Sequence, residues 1–85
     1  MPEISRFFGI IIMMFADDHN PPHFHVRYGG FRALITINKG IVEGQMPLKV
    51  LNRVYEWLDI HHDELVENWN RLQNGLDPFP IEPLK

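Results

Sequence analysis

His23-Phe24-His25-Val26-Arg27-Tyr28-Gly29-Gly30-Phe31-Arg32-Ala33-Leu34-Ile35-Thr36-Ile37, residues 23–37, decides the fold of this chain. Its first six residues alternate polar and apolar, the period-two pattern of a strand with one face buried. Gly29-Gly30 offers the two-residue turn that hairpins favour, because its central positions need positive φ. Phe31 to Ile37 then returns as the partner strand. So short a loop fixes the register: Tyr28 faces Phe31, and residues directly opposite share one side of the sheet. Phe24, Val26, Tyr28, Phe31, Ala33 and Ile35 are therefore expected to form the core face. On the other face Arg32 lies opposite Arg27, Leu34 opposite His25, and Thr36 opposite His23.

Working back from His23, the sequence runs through Asn20-Pro21-Pro22, a turn, to Asp17, Asp18 and His19. Before them stands the apolar run Phe7-Phe8-Gly9-Ile10-Ile11-Ile12-Met13-Met14-Phe15-Ala16, which reads as a strand buried on both faces. It is too short to span a bilayer as a helix. It does not read as a signal peptide either, because Glu3 interrupts the basic leader and Asp17-Asp18 stand where small residues would be cleaved. The expectation is a cytoplasmic protein with no membrane association.

Working forward, Asn38-Lys39-Gly40 is a second tight turn, and Ile41 to Gln45 make a short fourth strand. From Pro47 the period changes. Leu51, Val54, Tyr55, Leu58, Leu65, Trp69 and Leu72 fall at helical spacing, with Pro47 suited to a first turn and Gly75 to a helix stop. A bend, or a break into two helices, is expected near residues 60–63, where Asp63 can cap the second segment. His61 and His62 read as solvent-facing helix positions or cap residues, and Trp57 and Trp69 as core. The tail, residues 76–85, is extended, with Phe79 and Ile81 packing back on the body.

The predicted fold is thus α+β: an antiparallel meander of about four strands (residues 1–46), then one bent helix or two helices packed on one face (47–75), and an extended tail. The 85 residues make one domain, and 45% hydrophobic and 12% aromatic content argue for a folded rather than a disordered chain. The absence of cysteine removes disulfides, zinc–thiolate sites and cysteine nucleophiles together. A formal charge of −3 weighs against broad non-specific nucleic-acid binding but leaves room for a local cationic patch.

Three of the five histidines fall within residues 18–25, which concentrates imidazole beside the predicted Arg27/Arg32 face. One reading is metal-free. His23 and His25 serve as an acid–base pair together with Arg27, while His19, Asn20 and Arg32 help bind the substrate. The guanidiniums hold a phosphate by bidentate contacts, which suits cleavage of RNA by its own 2′-hydroxyl. A second reading is a metal site, for zinc or a similar divalent ion. His23 and His25, two apart on a strand, aim nitrogens at one point, and His19 or Asp18 completes the set. A third reading is structural, with the histidine turn merely satisfying backbone groups. Asp17 and Asp18 read as turn residues, and either can orient an imidazole. An apolar first strand implies a cover for its outer side: the tail, a second copy of the chain in a homodimer, or a partner protein.

Beyond these patterns, the chain resembles the small bacterial domain-of-unknown-function family 4160 over essentially its whole length. The matching segments are Ile4-Ser5-Arg6-Phe7-Phe8-Gly9-Ile10-Ile11-Ile12, Asp18-His19-Asn20-Pro21-Pro22-His23-Phe24-His25-Val26, Glu56-Trp57, Glu64-Leu65, Asn68-Trp69 and Ile81-Glu82-Pro83-Leu84. The family's characteristic residues correspond to His19, Asn20, Pro21, Pro22, His23 and His25, with Trp57 and Trp69 as packing positions. The resemblance implies a cytoplasmic prokaryotic protein encoded beside another small protein, typically of domain-of-unknown-function family 2442. That arrangement implies the toxin half of a type II toxin–antitoxin pair. It supplies no catalytic role. The leading expectation is therefore a toxin-like, metal-independent ribonuclease or translation inhibitor acting on RNA or the ribosome, with a cognate antitoxin-like partner. The alternatives are a metal-binding domain using His19, His23 and His25, and a non-catalytic interaction module.

Overall fold

Alternating apolar residues build a five-stranded antiparallel sheet in a computed structural model that describes residues 3–85. The strands are β1 (Glu3–Phe7), β2 (Ile10–Met13), β3 (His23–Tyr28), β4 (Phe31–Thr36) and β5 (Val42–Gln45), ordered as they occur in the chain. One helix, α1 (Leu48–Gln73), follows. The architecture is the expected α+β meander, with one more strand than the roughly four foreseen. The extra strand arises because the apolar run is folded on itself. Phe8 (φ 51°) and Gly9 (φ 77°) form the positive-φ pair of a tight hairpin turn, so Phe7 lies opposite Ile10. A continuous apolar run has no polar residue to announce such a turn. Two-sided burial does hold for β2, where Ile10, Ile12 and Met13 are all buried.

The deciding hairpin has the expected register: His23 lies opposite Thr36, His25 opposite Leu34, Arg27 opposite Arg32, and Tyr28 opposite Phe31. Phe24, Val26, Ala33 and Ile35 are buried on the core face. Phe31 departs from expectation. Although it shares that face, it sits at the hairpin end beside the Gly29-Gly30 turn and is 43% exposed. Gly44 in β5 is required by close approach: a Cβ there would stand 2.5 Å from the Arg32 carbonyl oxygen.

One stripe of α1 covers the core face, burying Val50, Val54, Trp57, Leu58, Leu65, Trp69 and Leu72. Trp57 is fully enclosed, with its ring 5.4 Å from Phe7 and 5.9 Å from Phe24. The expected bend is present, but its centre is His61 (φ −111°, ψ 21°) rather than a cap at Asp63. Nor does His61 face solvent as its position suggested. Its ring packs 5.6 Å from Trp57, and its Nδ1–H donates to Glu64 Oε1 at 2.5 Å. The helix ends at Gly75 (φ 74°) in a Schellman arrangement, with Leu76 N–H donating to Arg71 O and Gly75 N–H to Leu72 O.

The tail is tied down residue by residue. Buried Asn68 donates to the Phe79 carbonyl and accepts from the Phe79 N–H, each at 2.8 Å. Trp57 Nε1–H donates to the Glu82 carbonyl, and Ile81 N–H to the Ile4 carbonyl of β1. Ile81 and Leu84 are buried as a result. Phe79, expected to pack inward, remains 48% exposed and lies instead under the Arg71 guanidinium. Asn68→Ala removes both bonds from a site only 1% exposed and should cost about 2 kcal/mol. Urea unfolding monitored by circular dichroism would measure this. A loss under about half a kcal/mol would mean that Asn68 does not secure the tail.

Candidate functional site

On the sheet face opposite α1, the strand register sets out two rows of side chains. Arg6, Ile11, Arg27, Arg32 and Gln45 are successive cross-strand neighbours in one row, and Met13, His25, Leu34 and Glu43 in the next. Arg27 and Arg32 are both exposed. Arg6 is hydrogen-bonded to Glu3, which holds the Glu3 carboxyl below its usual range. Next to the arginines a hollow of about 330 Å³ is lined by Met13, Phe15, His25, Arg27 and Arg32. A more open depression of about 580 Å³ runs along α1 past Asn38, His62, Asp63 and Glu67. Of the two, only the smaller has a histidine in its wall that belongs to the converging cluster described next.

The chain between β2 and β3 carries Asp18 back over this face and is held at several points. Asp18 N–H donates to the Phe15 carbonyl at 3.4 Å. Gln73, at the end of α1, donates its side-chain amide to the Asp18 carbonyl at 3.1 Å. Ile37 N–H donates to the Pro22 carbonyl at 3.0 Å, and the Asn20–Pro21 peptide bond is cis. So anchored, the Asp18 carboxylate reaches both strand histidines. His25 Nε2–H donates to Asp18 Oδ2 at 2.9 Å, and His23 Nε2 stands 3.2 Å from the same oxygen.

The two imidazoles are not equivalent. His23 Nδ1–H donates to the Pro21 carbonyl at 2.8 Å, and its ring lies between Trp69 (5.2 Å) and His25 (5.3 Å). With Nδ1 hydrogen-bonded, Nε2 against Asp18 and the residue 7% exposed, it is a buried partner. The His25 side chain is 28% exposed, packs edge-on against Phe15 and borders the hollow. His25, Arg27 and Arg32 therefore share the open face as the spacing suggested, whereas His23 supports from beneath. His19 and Asn20 are exposed on the loop. Among the described residues, the set whose donor atoms lie within 4.8 Å of one another is Asp18, His23 and His25, so of the two residues offered to complete the metal reading it is Asp18, not His19, that joins the histidines.

The net charge of −3 averages two unlike sides. Glu56, Asp59, Asp63, Glu64 and Glu67 outnumber the exposed Lys49 and Arg53 on α1, while Arg6, Arg27 and Arg32 outnumber Glu43 on the uncovered sheet face. The local patch that the composition left open is thus built by the strand register. No helix among the described residues is long and apolar enough to cross a membrane.

The model of the family described as "Domain of unknown function (DUF4160)" matches residues 9–70, well over half of the chain. The chain belongs to that family. The DUF4160 match takes in Asp18, His23, His25, Arg27 and Arg32 and leaves out Arg6 and the tail. Neither the curated proteins nor the solved structures include a match to this DUF4160 chain.

Proposed function

We propose that this protein is the toxin-like member of a two-protein pair in the bacterial cytoplasm and that it cleaves RNA on its open sheet face. The observation that carries the reading is the Asp18–His25 hydrogen bond at the rim of a hollow walled by Arg27 and Arg32. The planar guanidiniums suit bidentate capture of a phosphate. Asp18 holds the Nε2 proton of His25, which leaves the Nδ1 lone pair to take a proton. The proton would come from an RNA 2′-hydroxyl. Attack of that oxygen on the adjoining phosphorus would then expel the 5′-oxygen, which takes a proton from solvent water as it leaves, while His25 returns its proton to solvent. The products are a 2′,3′-cyclic phosphate and a 5′-hydroxyl end. The backbone bonds to Phe15 and Gln73 keep Asp18 in place, and no metal takes part. A cognate small protein covering the arginine row would hold the toxin silent.

The test is fluorescence anisotropy with a labelled single-stranded RNA at several salt concentrations. The Arg27→Ala/Arg32→Ala double variant should bind at least ~10-fold more weakly. The slope of log affinity against log salt should also fall by about 0.7 for each phosphate that the variant no longer neutralises. Unchanged affinity and slope in the double variant, or no RNA binding by the wild type even at low salt, would sink the reading.

A further inference from the structure

The hydrogen bond from His23 Nδ1 to the Pro21 carbonyl has a chemical consequence at the other side of the ring. A carbonyl can only accept, so the proton is on Nδ1, and a neutral His23 presents a bare lone pair at Nε2. That lone pair lies 3.2 Å from an Asp18 carboxylate oxygen, which also offers only lone pairs. Two acceptors stand side by side in a buried contact, an arrangement relieved by a proton on Nε2 or by a metal ion bound to both. A ring N–H bonded to a backbone carbonyl is also the support that metal-bound histidines commonly have.

The spacing of the donor atoms fits the same idea. Atoms bound about 2.0–2.1 Å from one transition-metal ion lie roughly 2.9–3.4 Å from each other. Asp18 Oδ2 stands 2.9 Å from His25 Nε2 and 3.2 Å from His23 Nε2, and the three donor atoms all fall within 4.8 Å. Two imidazoles and one carboxylate form a set suited to zinc and its neighbours rather than to magnesium or calcium. Three protein ligands also leave a coordination position open toward the arginine-walled hollow, where an anion or water completes the shell.

We infer that Asp18, His23 and His25 form a binding site for one divalent transition-metal ion, zinc being the representative. The inference goes beyond the RNA reading and opposes its chemistry in one respect. Metal at His25 Nε2 displaces the proton there, so the remaining ring proton sits on Nδ1 and the lone pair needed for a base is gone. A metal-loaded chain would keep its arginine contacts with RNA and lose cleavage. Zinc would thus act as an off-state ligand.

The experiment is isothermal titration of untagged, chelator-stripped protein with zinc chloride, without RNA. Cobalt(II) chloride absorption provides a second readout on the wild type. The expected result is one ion per chain, weakened by at least ~100-fold in Asp18→Asn and in His25→Ala, and unchanged in His19→Ala and in His61→Ala/His62→Ala. Circular dichroism on each variant confirms folding. Should either site variant fail to fold, cobalt d–d bands typical of four- or five-coordinate nitrogen and oxygen ligation in the wild type carry the test. The inference is overturned by absence of saturable binding, by loss of binding in the His61/His62 variant instead, or by a cobalt spectrum of the hydrated ion. Since no RNA is present, these outcomes are independent of the anisotropy series.

Discussion

Replacing Trp57 with alanine should remove about 3–5 kcal/mol of the stability of the fold. Trp57 is fully buried, lies against Phe7, Phe24 and His61, and donates through Nε1 to the Glu82 carbonyl. Truncating a buried aromatic ring to alanine costs about 3–5 kcal/mol, because the site cannot collapse onto the void. A domain of this size has a total stability of roughly 4–13 kcal/mol. The substitution therefore consumes a large share of what holds the sheet, helix and tail together. Urea unfolding followed by circular dichroism is the measurement. Trp57→Phe separates the contributions: it keeps most of the ring but loses the bond to Glu82, with an expected cost of about 1–2 kcal/mol. A loss under about 1 kcal/mol in the alanine variant would contradict the placement of Trp57 at the centre of the core.

The second large effect concerns the open face. On the proposed RNA reading, His25→Ala should slow cleavage of single-stranded RNA by about 10²–10⁴-fold, the usual contribution of a positioned acid–base group. Induced in bacteria, the wild type should arrest growth while the variant permits it. The fold should survive, because His25 is partly exposed and its neighbours Met13 and Leu34 remain on the same row. Asp18→Asn should act in the same direction, since an amide no longer enforces the His25 proton position. Equal arrest by wild type and His25→Ala, with both folded, would remove His25 from the mechanism.

The sequence carried the hairpin and its faces well because Gly29-Gly30 leaves one sensible register, and the opposition of Arg27 to Arg32 followed directly. It carried the helix bend near residue 60 as well. It did not carry the turn at Phe8–Gly9, since an unbroken apolar run conceals where a chain reverses. The site was legible only in part, for a related reason. Strand alternation places His25, Arg27 and Arg32, but Asp18 reaches them through a loop whose path depends on Gln73, at the far end of the helix. Such a contact spans 55 positions and leaves no periodic trace. The unlike roles of His23 and His25 were equally hidden, because they turn on one backbone carbonyl and on Trp69.

The tail bond from Ile81 to Ile4 limits how the molecule can associate. A sheet exposes unpaired backbone groups at its two outer strands, and a chain with both outer strands open can recruit copies on either side without end. In this chain the border at β1 is partly taken by the chain's own tail, bonded at Ile4, which leaves β5 as the more open one. Joining through β5 uses up that border on both molecules, so growth by strand addition stops at two. With its β1 border tied to the tail, the small sheet of this chain favours pairing in twos over open-ended stacking.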